Sequence, residues 1–554
     1  MSTEAPKPVE KAVEMVNVQI DGEWKQFPKG TRLIEACGQA GKFIPRYCYH
    51  PKLSSPGNCR MCLVEMGMPK MGPDRKPVLG ADGKPEISWI PRPQISCAQD
   101  VSEGLAVRTD SPMVQDCRKG VMEFLLINHP LDCPICDQAG ECQLQEFSVE
   151  YGNGESRFLE HKVKKPKNVE IGPRVTLDAE RCVLCSRCIR FMKEVAHDDV
   201  LGFVDRGSHS TIAVHPGKKL DSNYSLNTVD ICPVGALTSS DFRFKMRVWF
   251  LKETKSFCTS CATGCNTVIG SRENAVYRMT PRENNDVNGI WMCDYGRLNF
   301  HTLNSADRLV KPLVRGEKGQ EEVSWKEAIA RAAAELKALA PTEIAVIVSA
   351  RMTNEEIWLA KQLISTIGTH LRDIVPRVGE GDDILMSPDR NPNAKMAEML
   401  KISGVVPGAD LSEIGRQVKN GKLKGLILLG EDAADIGLTV EELKKLPTLI
   451  AVNILKNATT LNASVALPGA GFAEKRGSMI NAKGRLQRLN RATNPPGEAR
   501  DDWEILADLI HALSGGNGLG TIEDVFKQMS AAMPVFAGLS LSKIGDQGVP
   551  LQFS

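Results

Sequence analysis

The sequence has no uncharged apolar stretch that approaches the roughly 20 residues needed for a membrane-spanning helix. It also has almost no net charge, because 69 basic residues nearly balance 68 acidic ones to give a formal charge of +1. The first residues, MSTEAPKPVEKAVEMV, lack the apolar core of a secretory signal and the arginine-rich, acid-poor composition of a transit peptide. These absences argue against a membrane span, secretion, and a surface for nucleic acid or anionic lipid. We therefore expect a soluble protein of the cytoplasm.

Cysteine is absent after Cys293, although the 554-residue chain has 17 cysteines up to that point. In a reducing compartment, so many cysteines are typical of metal ligands rather than disulfides. Fifteen fall into four groups, and the other two, Cys37 and Cys117, are predicted to pack in the interior. The groups are group one, Cys48, Cys59, Cys62 and Cys97; group two, His129, Cys133, Cys136 and Cys142; group three, Cys182, Cys185, Cys188 and Cys232; and group four, Cys258, Cys261, Cys265 and Cys293.

Group three has the most specific spacing. The motif CVLCSRC places three cysteines at C-x2-C-x2-C, and a distant Cys-Pro supplies the fourth thiolate, as in 4Fe-4S ferredoxins. Group one combines a cysteine-rich loop with a remote fourth cysteine, which is typical of a 2Fe-2S site, although its gaps differ from the plant-type spacing. Structural zinc stays open as a weaker alternative for both groups.

Group two contains a histidine four residues before its first cysteine. Because HPLDCPICDQAGEC offers only three cysteines, His129 is predicted to be the fourth ligand of a cluster. A neutral imidazole makes such a cluster less negative and should raise its potential. Zinc held by three cysteines and a histidine remains an alternative. Group four, with CTSCATGC followed by Cys293, has a 4Fe-4S pattern, again with zinc as an alternative.

The order of turn signals, apolar runs and helix caps along the chain predicts several domains. An Asp-Gly turn in VNVQIDGEWKQF indicates a hairpin, followed by a short helix that contains Cys37. Residues 67–95 are predicted to be a surface loop or hairpin. A helix is predicted in the segment that follows, and it should end between His129 and Pro130. Beyond Cys293, apolar runs alternate with helices that begin at Ser324, Thr353 and Thr439, which predicts a parallel α/β sheet.

The predicted fold class is therefore multidomain, α+β and α/β. The boundaries are 1–15, an extended or disordered N-terminus; 16–110, a β-grasp 2Fe-2S ferredoxin domain; 111–150, a segment with one histidine and three cysteine ligands; 151–245, a ferredoxin-like 4Fe-4S domain; 246–304, a small strand-rich 4Fe-4S module; 305–515, an α/β domain; and 516–554, at most one short helix and a tail.

The order and spacing of the four groups, with their single histidine, closely resemble the large iron-sulfur subunit of NADH:quinone oxidoreductase, respiratory complex I. The resemblance covers about residues 16 to 515. It implies one 2Fe-2S cluster in group one and three 4Fe-4S clusters, with the histidine in group two. It also implies that electrons arrive from a partner subunit that binds NADH and FMN, enter at group one, and pass through groups three and two toward a ferredoxin-like 4Fe-4S subunit and quinone. Group four would lie off this path.

The same resemblance implies further partners and a location. A small 2Fe-2S subunit and other peripheral-arm subunits would be partners, and the protein would lie peripherally on the cytoplasmic face of a bacterial inner membrane. A complete fourth ligand set points to a bacterial member. No catalytic acid, base or nucleophile is expected, since the activity belongs to the whole complex.

The C-terminal region resembles a shortened molybdopterin oxidoreductase domain, with residues 466–506 similar to the pterin-side segment. No later cysteine is present to bind molybdenum, so no molybdopterin is expected, and Arg476, Lys483, Arg485 and Arg488 are predicted to form a solvated basic face. The alternative functions are an iron-sulfur and molybdenum subunit of an NAD-linked formate dehydrogenase, a subunit of an NAD-reducing hydrogenase, and a zinc-stabilised scaffold.

Overall fold

The computed structural model describes residues 14–553 except 75, 82, 318, 405 and 516–519. The chain divides into two compact units, with the boundary between Val248 and Trp249. Most of the segment predicted to be an extended or disordered N-terminus, residues 1–13, lies outside the described residues. Within the described ranges, no helix is both long and apolar enough to span a bilayer.

The first part of unit one is a small mixed sheet packed against one helix. Its strand order is β2-β1-β6-β3-β4, with β5 also paired to β3, and β1 runs parallel to β6. The predicted hairpin is confirmed, because Ile20 pairs with Glu23 across a turn in which Asp21 and Gly22 have φ of 50° and 89°. Cys37 is fully buried, as predicted. The elements are β1 Met15–Ile20, β2 Glu23–Pro28, α1 Leu33–Gln39, β3 Leu63–Pro69, β4 Ile87–Trp89, β5 Gln94–Ile95 and β6 Ala106–Arg108.

The rest of unit one is built from short elements joined by long loops. Its helices and strands are α2 Pro112–Leu126, α3 Gln143–Tyr151, β7 Val169–Glu170, β8 Val175–Leu177, α4 Arg187–Glu194, β9 Leu201–Val204, β10 Thr211–Val214, α5 Asn227–Asp230 and β11 Leu237–Ser239. The prediction for the end of α2 was wrong by a few residues. The Lys162 ammonium donates hydrogen bonds to the carbonyls of Leu126 and Ile127, at 2.9 and 2.7 Å, which caps the helix before His129.

Unit two begins with a three-stranded antiparallel meander, β12 Lys252–Phe257, β13 Asn266–Arg272 and β14 Ala275–Pro281, followed by the short helix α6 Asp294–Leu298. These elements lie within residues 246–304, where the sequence predicts a small strand-rich module. The loop between β12 and β13 and the start of α6 carry the four cysteines of group four.

An α/β domain follows, as predicted from the alternation of apolar runs and helices. Its strands are β15 Leu313–Gly316, β16 Gly319–Glu322, β17 Ile344–Val348, β18 Leu371–Ile374, β19 Gly425–Leu429, β20 Thr448–Asn453 and β21 Val465–Pro468, and its helices are α7 Trp325–Lys337, α8 Asn354–Ile367, α9 Ala394–Met399, α10 Leu411–Lys419, α11 Val440–Lys445 and α12 Ala458–Asn462. The order β16-β15-β21-β20-β19-β17-β18 is parallel from β21 to β18, and β15 and β16 form an antiparallel edge. Buried apolar side chains cover both faces of the sheet.

The predicted helix starts in this domain are present as side-chain caps. Thr353 and Glu356 form a reciprocal capping box at α8, and Thr439 and Glu442 do the same at α11. At α7, Ser324 accepts a hydrogen bond from the backbone N–H of Glu327. These short-range signals therefore located all three helix starts.

The last described residues belong to the fold rather than to a free tail. The remaining elements are β22 Gly477–Ile480, β23 Arg485–Leu489, α13 Asp502–Ser514, α14 Ile522–Ala532 and β24 Val549–Pro550. Helix α14 places Phe526 and Met529 in the main core, and β24 pairs with β23. The prediction of one short helix after residue 516 agrees with α14, but the segment predicted to be a tail forms part of a three-stranded sheet, because its backbone pairs with a strand about 60 residues earlier.

Candidate functional site

The four cysteines of group one meet at one end of the N-terminal sheet. The loop between α1 and β3 carries Cys48, Cys59 and Cys62, and a short turn after β5 carries Cys97. The Cys48 thiol acts on the pKa of both Cys59 and Cys97, and the thiols of Cys62 and Cys97 act on each other, so the four side chains lie close together. The Cys48 thiol and burial raise the pKa of Cys59. Cys97, the distant fourth cysteine, lies near the others because β5 pairs with β3 beside Cys62.

Group two lines a small cavity between α2 and α3. Its four residues, His129, Cys133, Cys136 and Cys142, share this cavity with Asp132, Gln145, Arg181 and Gly235. Burial, together with the charges of Arg181 and Lys162, lowers the pKa of His129 to about 4. The imidazole is therefore neutral at pH 7 and has a ring nitrogen available as a ligand. Arg181 is held by Asp132, with Nη2 3.0 Å from Oδ2.

Only glycine fits beside the group two cysteines at position 235. A Cβ at Gly235 would lie 2.2 Å from Cys136 Sγ, far inside contact distance. Gly235 and Arg181 were not singled out from the sequence. The segment CPVGA, in which Gly235 follows the group three ligand Cys232 by three residues, could have suggested a close backbone approach.

Group three wraps the start of α4. Leu184 and Ser186, which alternate with the cysteines, have φ of 52° and 61°, and this left-handed backbone turns the chain tightly between successive thiols. Burial raises the pKa of Cys182 and of Cys185 to about 12, and the nearby Cys232 thiol adds to both shifts. The backbone N–H of Leu184 lies 3.4 Å from Cys182 Sγ, a contact that favours a thiolate.

Groups one, two and three border a single hydrophobic cluster within unit one. Its centre contains Tyr47, Met122 and Phe147. The Tyr47 hydroxyl donates to Met122 Sδ at 3.4 Å, and the rings of Tyr47 and Phe147 meet edge to face with centroids 5.4 Å apart. The cysteines that border it are Cys48 and Cys59 of group one, Cys142 of group two, and Cys182, Cys185 and Cys232 of group three. Ligands from three of the groups thus share one apolar interior, while Cys133 of group two is exposed.

Group four belongs to unit two. Cys258, Cys261 and Cys265 lie on the loop between β12 and β13, Cys293 caps the start of α6, and all four are buried. Burial is the main cause that raises the pKa of Cys258 to about 12, and the Cys293 and Cys261 thiols contribute smaller increases. Gly296 is close to this group, since a Cβ there would lie 2.8 Å from Cys258 Sγ.

The chemistry of these residues fits iron-sulfur clusters. Thiolates and a neutral imidazole are the ligands that such clusters use. Across the described ranges, no three or more His, Cys, Asp or Glu side chains are arranged to hold a single metal ion. The ligand types of the four groups are therefore those that iron-sulfur clusters use.

Three basic side chains of the pterin-like segment are paired with carboxylates. Arg476, Arg485 and Arg488 form ion pairs with Glu523, Asp286 and Asp546, respectively. The prediction of a solvated basic face is wrong for Arg485, whose side chain is only 13% exposed because it is tied to residues near the chain end.

Comparison with known proteins identifies the family. The G subunit of NADH-quinone oxidoreductase from Rickettsia felis is 32% identical over 95% of this chain and 92% of the relative. The chain belongs to this family of NADH-quinone oxidoreductase subunits. Among other members, NADH dehydrogenase (ubiquinone) iron-sulfur protein 1 from mitochondria of Solanum tuberosum is 39% identical over 69% of this chain and 47% of that protein.

Five family models match successive parts of this NADH-quinone oxidoreductase chain. They are a 2Fe-2S iron-sulfur cluster binding domain at residues 13–112, the NADH-ubiquinone oxidoreductase-G iron-sulfur binding region at 118–157, the ferredoxin-like domain of NADH-quinone oxidoreductase subunit 3 at 172–238, the NDSU1/NuoG-like 4Fe-4S domain at 251–301, and molybdopterin oxidoreductase at 308–383 and 389–512. The predicted fold class and family are confirmed, and the chain carries iron-sulfur cluster domains of both types.

A solved structure of an NAD+-reducing NiFe-hydrogenase also matches, at 26% identity over 42% of this chain and 91% of that one. Its TM-score of 0.35 is too low to support an argument about function. The alignment with the Rickettsia felis relative spans 637 positions, more than the 554 residues of this chain, so this subunit lacks segments that the relative has.

Proposed function

We propose that this chain is the electron-transfer subunit of the peripheral arm of NADH:quinone oxidoreductase. It would relay electrons from the flavin subunit toward the ferredoxin-like subunit on the quinone side. The single observation that carries this proposal is the hydrophobic cluster around Tyr47, Met122 and Phe147, which borders the ligands of three groups. An electron carrier needs its redox centres close together and shielded from water, and an apolar cluster that contacts ligands of three groups supports this role.

The proposal assigns one 2Fe-2S cluster to group one and one 4Fe-4S cluster to each of the other groups. Bound there, the clusters would supply one-electron redox chemistry. The residues of the chain would bind iron, exclude water and donate hydrogen bonds to sulfur, and none would act as an acid, base or nucleophile. Group four lies in the other unit, and we assign it a mainly structural role.

The proposed partners follow from family membership. Relatives that are named as a subunit of NADH-quinone oxidoreductase imply other subunits of that complex. We infer that these include the subunit that binds FMN and NADH, the small 2Fe-2S subunit and the ferredoxin-like 4Fe-4S subunit. The proposed location is the cytoplasmic face of the bacterial inner membrane, as a peripheral part of the complex.

The test is an anaerobic count of iron and acid-labile sulfide on the purified subunit, with EPR spectra of the assembled complex. About fourteen irons are expected if one 2Fe-2S and three 4Fe-4S clusters are bound. A colourless protein with zinc and no iron would overturn the proposal in favour of a zinc-stabilised scaffold. Stoichiometric molybdenum would instead favour a formate dehydrogenase subunit.

A further inference from the structure

Two arginines of helix α4 lie buried between groups one and three. Arg187 is 7% exposed and Arg190 is 9% exposed. Both lie on the helix that carries Cys188 and begins directly after Cys185 and Ser186. Neither residue was singled out from the sequence, where RCIRF resembles an ordinary charged helix face.

Each guanidinium contacts the backbone of both ligand loops. Arg187 Nη2 donates to the carbonyl of Tyr49, next to Cys48, at 2.7 Å, and its Nη1 donates to the carbonyl of Ile231, next to Cys232, at 3.1 Å. Arg190 Nη2 donates to the carbonyl of Cys48 at 2.6 Å and lies 3.4 Å from that of Cys185. The two side chains therefore bridge the first and third groups directly.

These buried cations have no carboxylate partner among the described residues. The contacts of both guanidinium groups are carbonyls and the Ser186 hydroxyl, and the charged groups that act on Arg187 are the thiols of Cys185, Cys232 and Cys48 and the cation Arg46. In addition, Arg187 Nε is buried without a hydrogen-bond acceptor. A buried charge is expensive unless an opposite charge lies close to it. The thiols of groups one and three would supply the nearby negative charge as cluster ligands, whereas the Glu194 carboxylate accepts hydrogen bonds from Ser54, whose carbonyl accepts from Arg190.

We propose that Arg187 and Arg190 are positioning residues that fix groups one and three relative to each other and raise the reduction potentials of both. The inference rests on the proposed function, because it requires iron-sulfur clusters in these two groups. A nearby positive charge stabilises the reduced cluster, which carries one more negative charge than the oxidised form. Because both arginines touch both ligand loops, a change at either should affect two clusters together.

The test is an EPR-monitored redox titration of the assembled complex with Arg187→Met, which removes the charge and keeps an apolar side chain. We expect reduction of both clusters to become at least tenfold less favourable, a shift of about 59 mV downward for a one-electron couple. The signals of groups two and four serve as internal controls and should keep their potentials. Unchanged potentials at full iron content, or a shift in only one of the two clusters, would overturn the inference.

Arg187→Lys is the matched variant, because it keeps the positive charge but lacks the planar fork that reaches two carbonyls. It should retain both clusters at potentials close to those of the unsubstituted complex. If the complex with Arg187→Met does not assemble, the result for Arg187→Lys tests the role of the charge. Retention of both clusters in Arg187→Lys supports that role, and loss of the clusters refutes it. Failure of the proposed function is distinguishable, since the unsubstituted protein would then contain zinc without iron, or stoichiometric molybdenum.

Discussion

Replacing Lys475 by methionine should destabilise unit two far more than the loss of a surface lysine. Lys475 Nζ lies 2.9 Å from Glu356 Oε2 and 2.9 Å from Asp502 Oδ2, and the three side chains are 6%, 0% and 10% exposed. Methionine fills a similar volume but leaves two carboxylates buried at one point without a cation. Breaking a buried ion pair from one side costs about 3–5 kcal/mol, and we expect a loss of that size in the free energy of unfolding.

Lys311→Met is the matched control in the same unit. Lys311 Nζ lies 2.8 Å from Glu322 Oε2, so the contact is as short as those of Lys475, but the two side chains are 45% and 59% exposed. Exposed pairs contribute about 0.2–1 kcal/mol, because water competes for both ions. The difference between the two variants therefore measures burial rather than contact distance.

The assay is urea unfolding at about pH 7.5, followed by tryptophan fluorescence. Trp503 is suited to this purpose because it follows Asp502 and is 7% exposed. The unfolding transition of unit two should move to a clearly lower urea concentration in Lys475→Met and hardly move in Lys311→Met. Equal shifts in the two variants would refute the reasoning.

The loss in the free energy of unfolding caused by Lys475→Met should also depend on pH. Burial raises the pKa of Glu356 from 4.5 to about 7 even with Lys475 beside it. A carboxyl group whose pKa is raised by folding favours the folded state below its unfolded pKa, and this contribution is lost as the pH rises through the folded value. Without the lysine, the pKa of Glu356 should rise further. The loss in the free energy of unfolding should therefore become smaller as the pH falls from about 8 toward about 5. A constant loss over this range would contradict the structural interpretation.

Three further predictions concern the proposed ligands and the glycine beside one of them. His129→Cys should lower the potential of the group two cluster by on the order of 100 mV, because a thiolate adds negative charge. Cys185→Ala should remove about four irons and stop NADH-to-quinone flux, whereas Cys261→Ala should also lose about four irons but mainly reduce stability. Gly235→Ala should displace Cys136, since the new Cβ would lie 2.2 Å from its sulfur, and should lower the iron content by about one cluster.

Each of these predictions has a control or a contradicting result. An unchanged EPR spectrum in His129→Cys would remove the histidine from the ligand set. Arrest of turnover by Cys261→Ala in a fully assembled complex would contradict a structural role for group four. Gly120→Ala is the control for Gly235→Ala, because a Cβ at Gly120 meets nothing within 4 Å and alanine favours a helix. Full iron content in Gly235→Ala would show that the site tolerates the methyl group.

Local sequence signals predicted the elements whose geometry depends on neighbouring residues. The Asp21–Gly22 turn, and the caps at Thr353 and Thr439, involve backbone conformations and hydrogen bonds within about four residues, so residue type is sufficient to locate them. The spacing of Cys182, Cys185 and Cys188 is local in the same sense, because left-handed residues between them turn the chain tightly.

Long-range contacts could not be predicted in this way. Nothing near Cys97 in the sequence shows that it reaches Cys62, and the pairing of β5 with β3 decides it. The return of the chain end to β23 likewise depends on backbone pairing between distant segments.

Residue types and spacings were enough to establish the fold class and the family, and they predicted which residues could be cluster ligands. The packing of the folded chain decided which charges are buried and which groups surround them. Arg187 and Lys475 are both basic residues in the sequence, yet one faces thiols and carbonyls and the other faces two carboxylates. The physical reason is that desolvation and Coulomb energies depend on every segment that packs around a group, and those segments come from distant parts of the chain.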